Sequence, residues 1–140
     1  MIVLASDHAG FELKEYLKLY FTKHKIEYID AGALNYDPED DYPDIIKPAT
    51  KHVLKDVNNR GIFICGSGVG VNMVANRTKG IRAVLASDTQ TAEMARLHNN
   101  ANVLCLGARM ICKRRATNII NTFLSTDFLG GKHQRRIDKF

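Results

Sequence analysis

No stretch of this 140-residue chain stays apolar for the roughly 20 residues that a membrane-spanning helix needs. Its first apolar run, residues 2–5, is interrupted by Asp7 and His8 too early for a signal-peptide core. A soluble, cytoplasmic chain with no membrane partner is therefore expected. Cysteine is sparse and odd in number, and Cys65, Cys105 and Cys112 argue against a disulfide framework. None of the three forms a C-x-x-C pair, so the usual zinc site is missing too. No basic stripe is interleaved with aromatics, which leaves nucleic-acid binding without support. Repeats and long linkers are also lacking. One domain over residues 1–140 is expected, with 45% hydrophobic content to build its core.

The net charge of +5 is unevenly placed. Asp37, Glu39, Asp40, Asp41 and Asp44 make the middle of the chain acidic, whereas Lys132, Arg135, Arg136 and Lys139 face only Asp138 in the last ten residues. A basic tail over 125–140 fits either a solvated terminus or a contact to an anionic ligand.

Two hydrophobic periods alternate along the chain. Short apolar runs at 2–6, 26–31, 61–64, 81–86 and 102–106 read as strands. Helical spacing marks 9–24 through Leu13, Leu17, Tyr20 and Phe21, with Asp7 placed as its cap. Helices are also expected over 44–57, from the 65–70 loop to about 79, and over 88–98, where Ser87 and Gln90 resemble a capping box. A last helix carries Cys112, Ala116, Ile119, Ile120 and Phe123 on one face. This order predicts an α/β fold: a three-layer αβα sandwich around a five-stranded parallel, Rossmann-like sheet. Ligands of such sheets bind beyond the carboxyl ends of the strands. That rim collects Asp7, His8, Gly32, the 65–70 loop, Ser87, Asp88 and residues 107–109.

The segment Cys65-Gly66-Ser67-Gly68-Val69-Gly70 follows an apolar strand and precedes a helix-prone stretch. Loop amides and a helix N-terminus suit an anion, and the same field favours a reactive thiol. Three commoner anion loops are excluded. The Rossmann fingerprint wants its third glycine where Val71 stands, a Walker loop needs Gly-Lys-Ser/Thr, and a cysteine phosphatase needs arginine at that same Val71 position. A purely structural turn, with Cys65 as a small core residue, stays open at this point. Arg109, just past the fifth strand, is a natural anion contact. Tyr42 is placed to wall one side of the site. His98 ends a helix, where it either complements the helix dipole or acts in catalysis. His24, His52 and His133 receive no role, and Cys105 and Cys112 read as core thiols.

The motifs Asp7-His8-Ala9-Gly10, Asp41-Tyr42-Pro43, the 65–70 loop, Gly80-Ile81-Arg82-Ala83, His98-Asn99 and Gly130-Gly131-Lys132-His133-Gln134 occur in an order that resembles ribose-5-phosphate isomerase type B over nearly the whole chain. The resemblance implies an aldose–ketose isomerase without metal or cofactor. Cys65 would take a proton next to the sugar carbonyl, and Gly66, Ser67, Gly68, Val69 and Gly70 would stabilise the enediolate. Ser67 would relay protons, and His98 would open the furanose ring. Asp7, His8 and Asn99 would hold the sugar, and Arg109, Lys132 and Arg136 the phosphate. Lys132 departs from the arginine of many members, keeping the charge but not the bidentate fork. The resemblance also implies a homodimer, pairing into a tetramer left open, with His98, Asn99 and Arg109 reaching in from the partner. Two other functions stay open: an isomerase of six-carbon sugar phosphates such as allose 6-phosphate or galactose 6-phosphate, and a non-catalytic sugar-phosphate sensor.

Overall fold

A computed structural model covers residues 1–140. Strands β1 (Ile2–Ser6), β2 (Tyr28–Asp30), β3 (Arg60–Cys65), β4 (Ala83–Leu85) and β5 (Val103–Gly107) form one sheet in the order β2-β1-β3-β5-β4. All neighbours run parallel, with Ile2 opposite Arg60 and Gly61 opposite Val103. The helices are α1 (Phe11–Lys23), α2 (Tyr42–Val53), α3 (Val69–Ala75), α4 (Thr89–Asn99), α5 (Lys113–Ser125) and α6 (Lys132–Ile137). A 3-10 turn, His8–Gly10, leads into α1. The expected architecture is thus present, and no helix is long and apolar enough to cross a membrane.

The three central strands are apolar on both faces because helices cover both. Ile2, Leu4, Ile62, Ile64, Leu104 and Leu106 pack with Leu17 and Phe21 of α1, Ala92 of α4 and Ile120 and Phe123 of α5. The alternate residues Val3, Ala5, Phe63, Cys65, Val103 and Cys105 pack with Ile46 and Ala49 of α2 and Val71 and Ala75 of α3. Side chains two apart share a face, so each strand serves both layers. Each fully buried Leu, Ile or Phe contributes about 1.5–3 kcal/mol, which makes the two clusters the main support of the fold.

Departures from the sequence expectation each have a local cause. Helix α2 ends at Val53 rather than 57, because Asp56 accepts a hydrogen bond from the Asn58 amide at 2.8 Å and starts a turn. Helix α3 ends at Ala75, well short of 79. Just past it, the Asn76 carboxamide exchanges two 2.9 Å hydrogen bonds with the backbone of Ala83. Asp88, not Ser87, caps α4 by accepting from the Thr91 amide at 2.7 Å. The basic tail contains the unforeseen α6.

The chain leaves β1 toward one edge through β2 and crosses to the other side at β3, so the strand order reverses between β1 and β3. A parallel sheet splays its connections apart at such a point and opens a crevice above it. The segments after those two strands are Asp7-His8 and the Cys65 loop.

Candidate active site

At the end of β1 the buried carboxylate of Asp7 accepts from the Gly10 amide at 3.0 Å, closing the 3-10 turn as its cap. Burial pushes the Asp7 carboxyl above its usual range, with the Gly10 amide and His8 pulling the other way. His8 is presented next to it. Its backbone amide donates to Asp40 Oδ1 at 2.9 Å, and its ring Nδ1 lies 2.7 Å from the same oxygen. Donating to the Asp40 carboxylate raises the imidazole above its ordinary value, with Asp7 adding to the effect.

Cys65 is the last residue of β3. It is only 5% exposed, yet it lines the crevice instead of being sealed beneath it. The Gly68 amide points at its sulfur, N to Sγ 3.2 Å. Gly68 has φ +80°, the left-handed region that favours glycine. A Cβ there would stand 2.5 Å from Leu85 Cδ1 and 2.8 Å from the Leu106 carbonyl carbon. Gly70 is needed for space: a Cβ would lie 2.7 Å from the Tyr42 ring. Ser67 is exposed, and its Oγ accepts from the Val69 amide at 3.3 Å. Helix α3 has only seven residues, so loop amides rather than a long helix dipole set the polarity at the thiol. Cys105, by contrast, is wholly buried, and burial pushes its thiol well up.

The segment after β5 closes the other wall. The Ala108 and Arg109 amides donate to Cys65 O and Gly66 O at 2.9 and 3.0 Å. The Arg109 guanidinium lies against Gly66, with Nη1 3.2 Å from where a Cβ would stand. No carboxylate pairs with it; every ion pair of the chain uses lysine or histidine. The resulting cavity holds about 530 Å³ and is lined by Asp7, His8, Tyr42, Cys65, Gly66, Ser67, Val69, Gly70 and Arg109, with Met73 and Met110 as apolar walls. Gly68 is buried behind it. Arg109 therefore belongs to its own chain's pocket, which corrects the expectation that it reaches in from a partner. The backbone ties between 107–109 and the thiol loop are the reason.

His98, Asn99, Lys132 and Arg136 do not line this cavity. Helix α4 runs back along the sheet, so its last residues lie at the strands' N-terminal end, away from Cys65. Asn100 ends it in the left-handed conformation, φ 46°. Arg82 Nε donates to Asn99 O at 3.1 Å, and Arg96 Nη1 to Ala101 O at 2.6 Å. Burial pushes the Arg96 guanidinium down to about 10. The His98 ring stacks on His133 of α6, whose helix also carries Lys132 and Arg136. Burial lowers His133, and the charges of His98, Lys132 and Arg136 lower it further. A second cavity of about 610 Å³ opens here beside Arg82, Asn99, Ile137 and Phe140. It is larger, but no cysteine, histidine, aspartate or glutamate lines it, whereas Asp7, His8 and Cys65 all line the first crevice.

Sequence reasoning missed Asp40, which looks like one of five neighbouring acids, and His133, which carries no helical apolar pattern. The doublet His98 and His133 could have been found only by knowing that α6 folds onto the end of α4.

A reversed parallel sheet with a thiol facing loop amides, and an unpaired guanidinium opposite, defines an α/β protein whose switch-point crevice offers donors suited to a small anionic molecule. The chain belongs to the ribose/galactose isomerase family, whose model, described as Ribose/Galactose Isomerase, matches residues 2–140. It is 44% identical over 138 residues to the Mycoplasma pneumoniae protein named "Probable ribose-5-phosphate isomerase B", covering 99% of this chain and 91% of that one. The ribose-5-phosphate isomerase B of Thermotoga maritima superposes with a TM-score of 0.94 at 46% identity, over 99% and 94% of the two chains. The Mycoplasma genitalium ribose-5-phosphate isomerase B, solved with bound ribulose-5-phosphate, gives a TM-score of 0.94 at 43% identity, over 99% and 91%.

Proposed function

We propose that this chain interconverts ribose 5-phosphate and ribulose 5-phosphate, with Cys65 as the base. The observation that carries the reading is the Cys65 sulfur on the wall of a 530 Å³ crevice, an amide hydrogen aimed at it and Arg109 unpaired across from it. Relatives named for this reaction support the choice of substrate.

The chemistry follows from the geometry. Sγ takes the proton from C2 of the open-chain aldose. The C–H electron pair becomes the C1–C2 double bond, and the carbonyl pair moves onto O1. Amides of the 66–70 loop receive that charge; a preorganised donor of this kind contributes about 3 kcal/mol to the transition state. Ser67 carries the O2 proton to O1, the C2 carbonyl forms, and the Sγ proton returns to C1. Asp7 and His8 hold the sugar oxygens. Arg109 grips the phosphate from the same chain, and anchoring the far end of the substrate fixes the reacting carbons.

His98, which opens the ring, and Asn99, Lys132 and Arg136, which complete the grip, lie at the opposite end of the sheet. A two-fold dimer that sets the Cys65 end of one chain against the α4–α6 end of its partner brings them together. Exposed Val69, Met73 and Met110 around the crevice, and Phe140 beside the second cavity, supply apolar surface for that contact. On this reading residues 1–140 are one isomerase domain whose 125–140 tail completes the partner's phosphate site. The three unpaired thiols suit a reducing cytoplasm. Nothing in the reaction as drawn calls for a metal, and activity should persist in a chelator.

The family description includes galactose as well as ribose, and Lys132 in place of an arginine leaves the far end of the site adaptable. Isomerisation of a six-carbon sugar phosphate is thus the second reading, and kcat/KM for both sugar lengths on one preparation decides between them. The test of the mechanism is Cys65→Ala in deuterated water. Ribose 5-phosphate should still bind, but wild-type exchange of deuterium into C2 should vanish. Full exchange in the variant would end the proposal.

A further inference from the structure

Asp40 stands out among the acids of the 37–44 segment. Its side chain is 12% exposed, one carboxylate oxygen bonds both the backbone amide and Nδ1 of His8, and the other, Oδ2, is buried with no partner. No lysine or arginine pairs with it. A shielded carboxylate without a cation is costly, and the His8 ring is the one group placed to compensate it. With Nδ1 engaged, Nε2 is the ring nitrogen left for the cavity that His8 lines.

We propose that Asp40 is a positioning residue for the reaction: it fixes the His8 ring so that Nε2–H donates to an oxygen of the bound sugar phosphate. A neutral imidazole with its proton on Nδ1 would present Nε2 as an acceptor, whereas a doubly protonated ring donates from both nitrogens. The Asp40 carboxylate favours the doubly protonated form. Other charged or titratable groups line the same crevice as His8: Asp7 just before it, Tyr42 at the start of α2, Cys65 at the end of β3 and Arg109 after β5. Asp7 acts in the same direction as Asp40, and burial of the ring acts against both. This inference rests on the isomerase reading for its substrate but not for the His8–Asp40 coupling itself.

Asp40→Asn keeps an acceptor for Nδ1–H and removes the charge. The His8 ring, followed by ¹H–¹⁵N NMR without substrate, should then titrate nearer the ordinary imidazole value of 6.5 than in the wild type. KM for ribose 5-phosphate should rise about tenfold, the loss of one charge-assisted hydrogen bond, at pH values between the two midpoints. It should approach wild type below both, and kcat should change much less. Asp40→Glu, which restores the charge, should recover part of the effect. In a His8→Gln background, Asp40→Asn should add nothing to KM. An unchanged His8 titration, or an equal loss of activity at every pH, would overturn the proposal, as would an additive double variant. If Asp40→Asn does not fold, the Asp40→Glu and His8→Gln proteins carry the same comparison through their pH profiles. Should the wild type not isomerise the sugar, the NMR titration still reads the coupling, and the two failures stay distinct.

Discussion

The imidazole rings of His98 and His133 stack almost parallel, 4.4 Å between centroids and 11° between planes. One lies in the last turn of α4 and the other in the first turn of α6, so the stack fastens the basic tail to the residue proposed to open the sugar ring. A Leu129 amide to Leu97 carbonyl hydrogen bond of 3.1 Å secures the same junction. Because His133 is held low by burial and by its cationic neighbours, it can lie against His98 without two full charges meeting.

Removing the stack should therefore loosen His98 without deleting it. An aromatic pair contributes about 0.5–1.5 kcal/mol, so His133→Ala should lower kcat by up to about tenfold, and His133→Phe should restore most of it. Steady-state kinetics on the two variants checks this. Equal damage from both would show that the ring face is not what matters.

The proposed division of the site between chains gives a mixing experiment. Cys65→Ala and His98→Asn homodimers should each be inactive. After co-refolding, half the dimers carry one of each chain, and one crevice of each mixed dimer keeps both groups. Activity should return to roughly a quarter of wild type per chain. Assay before and after mixing decides it, and no recovery would place both groups in one chain's site.

How much of this was legible beforehand depended on whether the signal was local. Leu13, Leu17 and Phe21, or Ile62 and Ile64, announce helix and strand through spacing alone. The thiol loop carries its chemistry in six consecutive residues. Asp40 does not, because its partner His8 is 32 positions away and four similar acids surround it. The early end of α3 depends on the Asn76 side chain finding the Ala83 backbone, a contact that no propensity encodes. Asp88 displaced Ser87 as the α4 cap because a one-residue shift in register brings its carboxylate to the Thr91 amide. The partition of the site was read from family likeness, and it is Arg109 that the likeness misplaced.

Loop geometry separates two glycines that look alike in sequence. Gly68→Ala forces a side chain into left-handed backbone, about 1–2 kcal/mol by itself, and against the backbone of Leu106. It should lower both the melting temperature and kcat, since the Gly68 amide aimed at Cys65 must move. Gly70→Ala meets only the Tyr42 ring, which can swing outward. Its main effect should be a raised KM with near-normal stability. Melting curves and kinetics on the pair check this, and a reversed order of stability would contradict the geometry.

Acid should weaken the fold through a buried ion cluster at the edge of the sheet. Lys14 is wholly buried, with Nζ 2.6 Å from Asp30 Oδ2 and 2.7 Å from Ala33 O, and Lys18 reaches the same carboxylate at 2.9 Å. Burial raises the Asp30 carboxyl, but Lys14, Lys18 and the Gly32 amide outweigh it, so the group ends below its ordinary 3.8. Glu15 and Asp30 in turn raise Lys18 to about 12. A depressed carboxyl stabilises the fold in full above its unfolded value, and that stability is lost as pH falls through the lower folded value. Urea unfolding should thus show stability declining below about pH 4, and Asp30→Asn should flatten that decline. At neutral pH Asp30→Asn leaves the buried Lys14 charge only the longer, more exposed pair with Glu15 at 3.3 Å, and should cost about 3 kcal/mol. Lys14→Met should cost less, because Asp30 keeps Lys18. If the lysine variant proves the weaker fold, the carboxylate is not the centre of this cluster.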